Sequence, residues 1–190
     1  MASGTCSHAE GNNTKARTFA SHAEGDTTST SGNASHAEGY KTYALEAYAH
    51  TEGTLTSAYA AASHVEGAGG QASGYRSHAE GSYTITKNKA EHAEGQCNKS
   101  HRKDGVAYDY FGSGCTLHSI GIGTSDAEND RANAFEVMQD GKVYIINVGD
   151  YNGKNSTTAG ISDVATVITG IQNNIGNISS VLDSINGEVL

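Results

Sequence analysis

The chain has 190 residues, with 24 glycines, no proline, no tryptophan and 36% hydrophobic residues, too little bulky apolar matter for a conventional globular core of this length. A formal net charge of −9 argues against nucleic acid as a partner, because phosphate backbones are held by clustered Lys and Arg. Three cysteines without CxxC spacing give no disulfide framework, and no apolar run approaches the ~20 residues of a membrane span.

From residue 7 the chain repeats. SHAEG stands at 7–11, 21–25, 35–39 and 77–81, and AHTEG, SHVEG and EHAEG begin at 49, 63 and 91. His8, His22, His36, His50, His64, His78 and His92 recur at every fourteenth position without a slip. Glu10, Glu24, Glu38, Glu52, Glu66, Glu80 and Glu94 follow in step, each trailed by glycine. A fixed period of this kind marks a repeat architecture.

Counting from the Ser of SHAEG, positions 1, 3 and 5 are small. So are position 8 (Thr14, Thr28, Thr42, Thr56, Thr84) and position 10 (Ala16, Ala44, Ala58, Ala72, Ser100). Positions 9 and 11 vary freely, as in Lys15 and Arg17, Tyr43 and Leu45, Ile85 and Lys87. Side chains alternate faces along a strand, so each repeat reads as two short strands sharing one inward face of small residues. The Gly-, Asn- and Tyr-rich remainder forms the corners. Two strands per repeat make one coil of a parallel β-solenoid, and seven coils at ~4.8 Å per layer give a rod about 34 Å long. This head is expected over residues 1–104.

His and Glu are too large for so narrow an interior and must point outward. Other outward positions drift, yet these two are kept in every repeat, which predicts a face packed on a neighbouring chain. Charged groups buried there must be paired, so the His and Glu columns are expected to form ladders at a subunit interface.

Residues 105–160 read as a neck. The segment NAFEVMQDGKVYII (133–146) alternates around Asp140-Gly141, a hairpin signal, and the preceding TLHSIGIGT reads as a strand. Asp126, Glu128 and Asp130 imitate a calcium loop. The sixth position, however, is Arg131 where glycine is needed, and the twelfth is Val137 where glutamate is needed.

From 161 to 190 the spacing changes again. Ile161, Val164, Ile168, Ile171, Ile175, Ile178, Leu182, Ile185 and Val189 alternate steps of three and four, a heptad seam in which Ile at both core positions favours trimers or tetramers. Gly170 and Gly176 lower the helix propensity, so the helix is expected to need its partners.

Tyr40, Tyr43, Tyr48, Tyr59, Tyr75 and Tyr83 fall on corners or variable outward positions, where rings can stack on sugars or anchor a protein receptor. No GxSxG, HExxH or P-loop pattern occurs, so neither an enzyme nor a cofactor is expected. Imidazole and carboxylate columns also suit Zn, Ni or Cu, which keeps a metal-binding solenoid as an alternative, although no particular metal site is assigned. The inward Thr column disfavours ice binding.

Small residues around an S-x-A-x-G core, then a neck, then a trimeric coiled coil, resemble the head and stalk of YadA-type trimeric autotransporter adhesins. In that family the repeat reads SVAIG, with apolar residues at the subunit interface of a left-handed β-roll trimer. Here His and Glu hold those positions, which implies a polar seam. The SHAEG variant followed by NAFEVMQDGKVYI is more similar to phage tail-fibre and baseplate-associated proteins. The resemblance implies a homotrimeric, adhesive fibre segment without membrane insertion, in a virion assembled in the bacterial cytoplasm. Its partners would be other tail or fibre proteins and a host-surface glycan or protein. A fragment of a bacterial cell-surface adhesin is the alternative. Acid is expected to weaken such a trimer by protonating paired carboxylates.

Overall fold

The computed structural model describes residues 1–107, 109–146 and 161–187. Its first strands, in chain order, are β1 (His8–Asn12), β2 (Lys15–Ala16), β3 (His22–Asp26), β4 (Ser29–Thr30), β5 (His36–Tyr40), β6 (Tyr43–Ala44), β7 (His50–Thr51), β8 (Ser57–Ala58), β9 (His64–Ala68), β10 (Gln71–Ala72), β11 (His78–Ser82), β12 (Ile85–Thr86) and β13 (His92–Gln96). Odd strands form one parallel sheet and even strands a second. Each layer lies in register with the next, so His8 faces His22 and Glu10 faces Glu24. The fold is a parallel β-solenoid of about six turns, matching the six strands of the second sheet.

Small side chains fill the interior because two short strands leave room for nothing larger. Ala16, Ala23, Ala37, Ala44, Ala58, Val65, Ala72, Ala79 and Ala93 are fully buried, as are Thr28, Thr42, Thr56 and Thr84. The Ser of SHAEG closes the corner before it. Ser35 Oγ donates to the Gly32 carbonyl at 2.6 Å, and Ser63 and Ser77 donate to Ala60 and Gly74 at 2.6 and 2.7 Å.

The glycine of SHAEG has a different job from the one its size suggests. It is exposed rather than inward, with φ between +88° and +109° over the seven copies. A Cβ on Gly39 would collide with the Gly53 carbonyl oxygen of the next layer, well inside 3.0 Å. Position 5 therefore requires glycine for backbone approach and for φ. By contrast, the left-handed corners at positions 7 and 14 carry mostly other residues. Asn13, Thr27, Lys41, Leu55, Tyr83 and Cys97 turn one corner, and Cys6, Ala20, Ala34, Tyr48, Ala62, Arg76 and Ala90 the other. Interlayer hydrogen bonds such as Ala34 N to Phe19 O (2.8 Å) and Lys41 N to Asp26 O (2.9 Å) offset the roughly 1–2 kcal/mol of strain each corner carries.

The seventh repeat gives only its first strand, so the expected seven-coil head has six complete turns. Asn98 stands one residue before the place where the missing second-sheet strand would begin. Its side chain copies the backbone ladder, accepting from Ile85 N at 2.7 Å and donating to Ile85 O at 2.9 Å. Arg131 from the following segment donates to the Tyr83 and Asn98 carbonyls, and Asn133 exchanges two hydrogen bonds with the Lys99 backbone. Individual side chains thus cap the end that further coils would otherwise cover.

The first sheet continues past residue 104 without a break. β14 (Thr116–Ile122) pairs parallel with β13, and β15 (Asn133–Met138), β16 (Val143–Ile146) and β17 (Ile161–Asp163) then add antiparallel, giving eleven strands. Gly141, at φ +87°, turns the hairpin between β15 and β16. Helix α1 runs over Val164–Gly187. Ile161 therefore does not open the helical seam: its backbone pairs with Ile146 at the sheet edge, and α1 begins three residues later. Val164 and Ile185 lie within α1, and Val189 lies outside the described residues. Among the described elements α1 packs only against β16 and β17, and Ile168, Ile171, Ile175, Ile178 and Leu182 are 49–61% exposed. None of the described helices is long and apolar enough to cross a membrane.

Candidate functional site

In-register pairing places equal side chains directly above one another at the layer spacing, and this builds the His and Glu face. From His22 onward the rings stack with centroids 4.5–5.0 Å apart and planes within 11°. His8 is tilted by 35° on His22. The column has an eighth member. His118 on β14 stacks on His92 at 4.9 Å, and Phe135 closes the column edge-on at 6.2 Å. The carboxylate column stops one rung earlier, because Ile120 lies opposite Glu94.

Pairing along the columns changes direction. His22 and His36 meet the carboxylates of their own coil, Glu24 and Glu38, at 3.5 and 3.7 Å. His78, His92 and His118 meet those of the preceding coil, Glu66, Glu80 and Glu94, each at 3.4 Å. Among the described residues His50 and His64, at the switch, form no such pair. The Nε2 atoms from His22 to His118 are shielded yet lack a hydrogen bond. Within one chain the ladder is therefore close-packed but only partly satisfied, a costly state for polar groups.

Protonation adds to that cost. Burial holds the His36 imidazole below its usual range, reinforced by His50 and His22 and opposed by Glu38 and Glu24. Burial does the same at His64, with His78 and His50 adding. On this face the fold therefore opposes protonation of two stacked imidazoles, His36 and His64.

Four groups of three donors come within 4.8 Å: His22, Glu24 and His36; Glu38, His50 and Glu52; Glu52, His64 and Glu66; and His78, Glu80 and His92. A divalent cation could be held by such donors. The groups overlap along a continuous column, and nothing distinguishes one rung as a site.

Two ionisable clusters escape the repeat pattern. His101 Nδ1 lies 2.8 Å from Glu136 Oε1, which also accepts from Thr116 Oγ1 at 2.5 Å; Glu136 is 3% exposed. The wide sequence separation of this pair leaves no local signal. Glu91, where the other repeats have Ser or Ala, is fully buried. Its Oε2 accepts from Lys87 N, Asn88 N, Asn88 Nδ2 and Ser100 Oγ at 2.8–2.9 Å. Burial outweighs those bonds and pushes the carboxyl up to about 8.

The tyrosines do not form one face. Tyr40 and Tyr83 lie by the corner after the His/Glu strands, Tyr43 and Tyr59 on or beside the second sheet, and Tyr48 and Tyr75 at the opposite corner. All but Tyr43 are exposed. Among the described cavities, only one brings two of them together, Tyr59 and Tyr75, with Glu46 and Ser73.

No family model, curated protein or solved structure matches the chain. The functional reading therefore stands on the geometry of this molecule.

Proposed function

We propose that this chain is a rigid, adhesive fibre segment of a phage or phage-like tail that works as a homotrimer, joined along the His/Glu face of the solenoid and through α1. The open apolar seam of α1 carries this reading. A helix of 24 residues with Ile168, Ile171, Ile175, Ile178 and Leu182 all about half exposed has no use for that seam in a single chain. Covering what each such side chain still exposes is worth roughly 1 kcal/mol, about half the value for full burial, and the Ile-rich spacing favours three strands over two. The partly satisfied His/Glu columns supply a second surface that gains from a neighbour. Threefold symmetry would then combine weak contacts at a host surface into avidity.

Sedimentation equilibrium tests this directly. The expected species has three times the 19.7 kDa mass of the chain. A monomer at micromolar concentration would remove the basis of the proposal.

A further inference from the structure

The His and Glu columns are unbalanced within one chain. In-register stacking sets the carboxylates one above another, where like charges repel. The imidazoles beside them relieve this only in part. His22 and Glu24, and His92 and Glu80, approach to 3.5 and 3.4 Å, beyond a good hydrogen bond. The Nε2 atoms of His22, His36, His50, His64, His78 and His92 are shielded from solvent without a hydrogen-bond partner. The same distances fit a different chemistry. Around a tetrahedral zinc ion with bonds of about 2.0–2.1 Å, neighbouring ligand atoms stand ~3.3–3.4 Å apart, close to the His–Glu separation observed. The third donor of each group lies within 4.8 Å of the other two, a gap that a small turn of a half-buried side chain closes. His50 and His64, which form no ion pair, each have two carboxylates within that same 4.8 Å.

We propose that the His/Glu face binds zinc, three ions per chain, each held by imidazole and carboxylate donors of adjacent coils. No one rung is singled out, because the column as a whole is the site. Of its four groups of three donors two share Glu52, so three groups fill at once. Those three lie about two layers apart, ~10 Å, near the Debye length at ~0.1 M salt, so each ion is largely screened from the next. Three divalent ions offset six of the seven ladder carboxylates and give the shielded Nε2 atoms a partner. The nitrogen donors select zinc over magnesium and calcium, which take oxygen ligands in larger shells. Three protein donors leave a fourth position for water or for a group of a neighbouring chain. Each group is contained in one chain, so the inference does not rest on the trimer.

Calorimetric titration of the full, tag-free chain with zinc chloride tests the assignment, with magnesium and calcium chloride as controls. Zinc is expected to load to three ions per chain, and the two controls to bind about a hundredfold more weakly or not at all. His22→Gln and His78→Gln should each remove one ion, whereas His8→Gln, in the column but in none of the groups, should remove none. The native chain should also melt at a higher temperature with zinc than with magnesium, a reading that needs no variant. Absence of zinc binding, or a melting temperature that zinc leaves unchanged, would overturn the proposal. Equal binding of magnesium or calcium, or the same stoichiometry in all three variants, would reduce the face to diffuse charge attraction and overturn it as well. The mass of the same sample separates the two readings: a trimer that takes up no zinc overturns the metal column alone, whereas a monomer that loads zinc supports the column and overturns the trimer.

Discussion

The solenoid and the helix solve the same problem in opposite ways. Each coil of the solenoid meets the next through backbone hydrogen bonds and buries its Ala and Thr inside the same chain. The helix satisfies its own backbone but leaves Ile168, Ile171, Ile175, Ile178 and Leu182 uncovered. A narrow interior of small side chains yields little hydrophobic free energy per residue, so the rod depends on regular geometry. The seam concentrates large apolar side chains on one edge, and under the proposed assembly its stability depends on other chains. The solenoid should therefore tolerate loss of assembly, and the helix should not.

The largest effect expected is on the helix side. Ile171→Asp combined with Ile175→Asp places two charges in the seam, and sedimentation should then report the mass of a single chain in place of the proposed trimer. Strand circular dichroism should persist. If the strand signal collapses with the mass, the solenoid too depends on its neighbours and the contrast fails.

On the solenoid side, Gly39→Ala should cost about 4 kcal/mol, because it adds a Cβ that collides with the Gly53 carbonyl at φ +106°. Ala34→Gly, at φ +51°, should instead stabilise by up to ~1 kcal/mol, since Gly relieves a left-handed corner. Chemical denaturation of the two variants compares the two kinds of positive-φ position.

The capped end comes next. Asn98→Ala removes an acceptor and a donor from the buried Ile85 backbone and should cost about 2–3 kcal/mol, visible as a lower denaturation midpoint at unchanged slope. A cost this size in one substitution would show that the cap, as much as the repeat, limits how the rod unfolds.

What could be read from the sequence followed the period. His8 to His92 and Glu10 to Glu94 stand outward on one sheet, and the Ala and Thr positions stand inward, because alternation along a strand is a local property. The glycine misled: its smallness suggested an interior position, while the real constraint is an interlayer contact that exists only once coils stack. His118 was hidden because the step from His92 to LHSIG is not a whole number of repeats, although the two strands pair as neighbouring layers. Asn98, Arg131 and the His101–Glu136 pair act once each, across gaps of up to 48 residues, so no spacing announces them. Ile161 has the right heptad step, yet the edge of β16 takes its backbone first.

The smallest net effect is the pH dependence, because two opposing slopes meet. His36 and His64 are held below the ordinary value of 6.5, so the unfolded chain binds protons more readily. Their contribution is present above pH 6.5 and is lost as pH falls through the lowered folded values. Glu91, raised from 4.5 to about 8, runs the other way: its contribution is full below 4.5 and is lost as pH rises toward 8. Between pH 5.5 and 7.5 the two offset each other, and the melting temperature of the native chain should shift by only a few degrees. Glu91→Gln keeps the accepting oxygen and removes the titration, so the imidazole slope should stand alone and the variant should lose more on acidification than the native chain. Parallel melting curves for the two proteins at pH 5.5 and 7.5 would show that Glu91 is ionised in the fold. The four hydrogen bonds to its Oε2 would then have outweighed its burial.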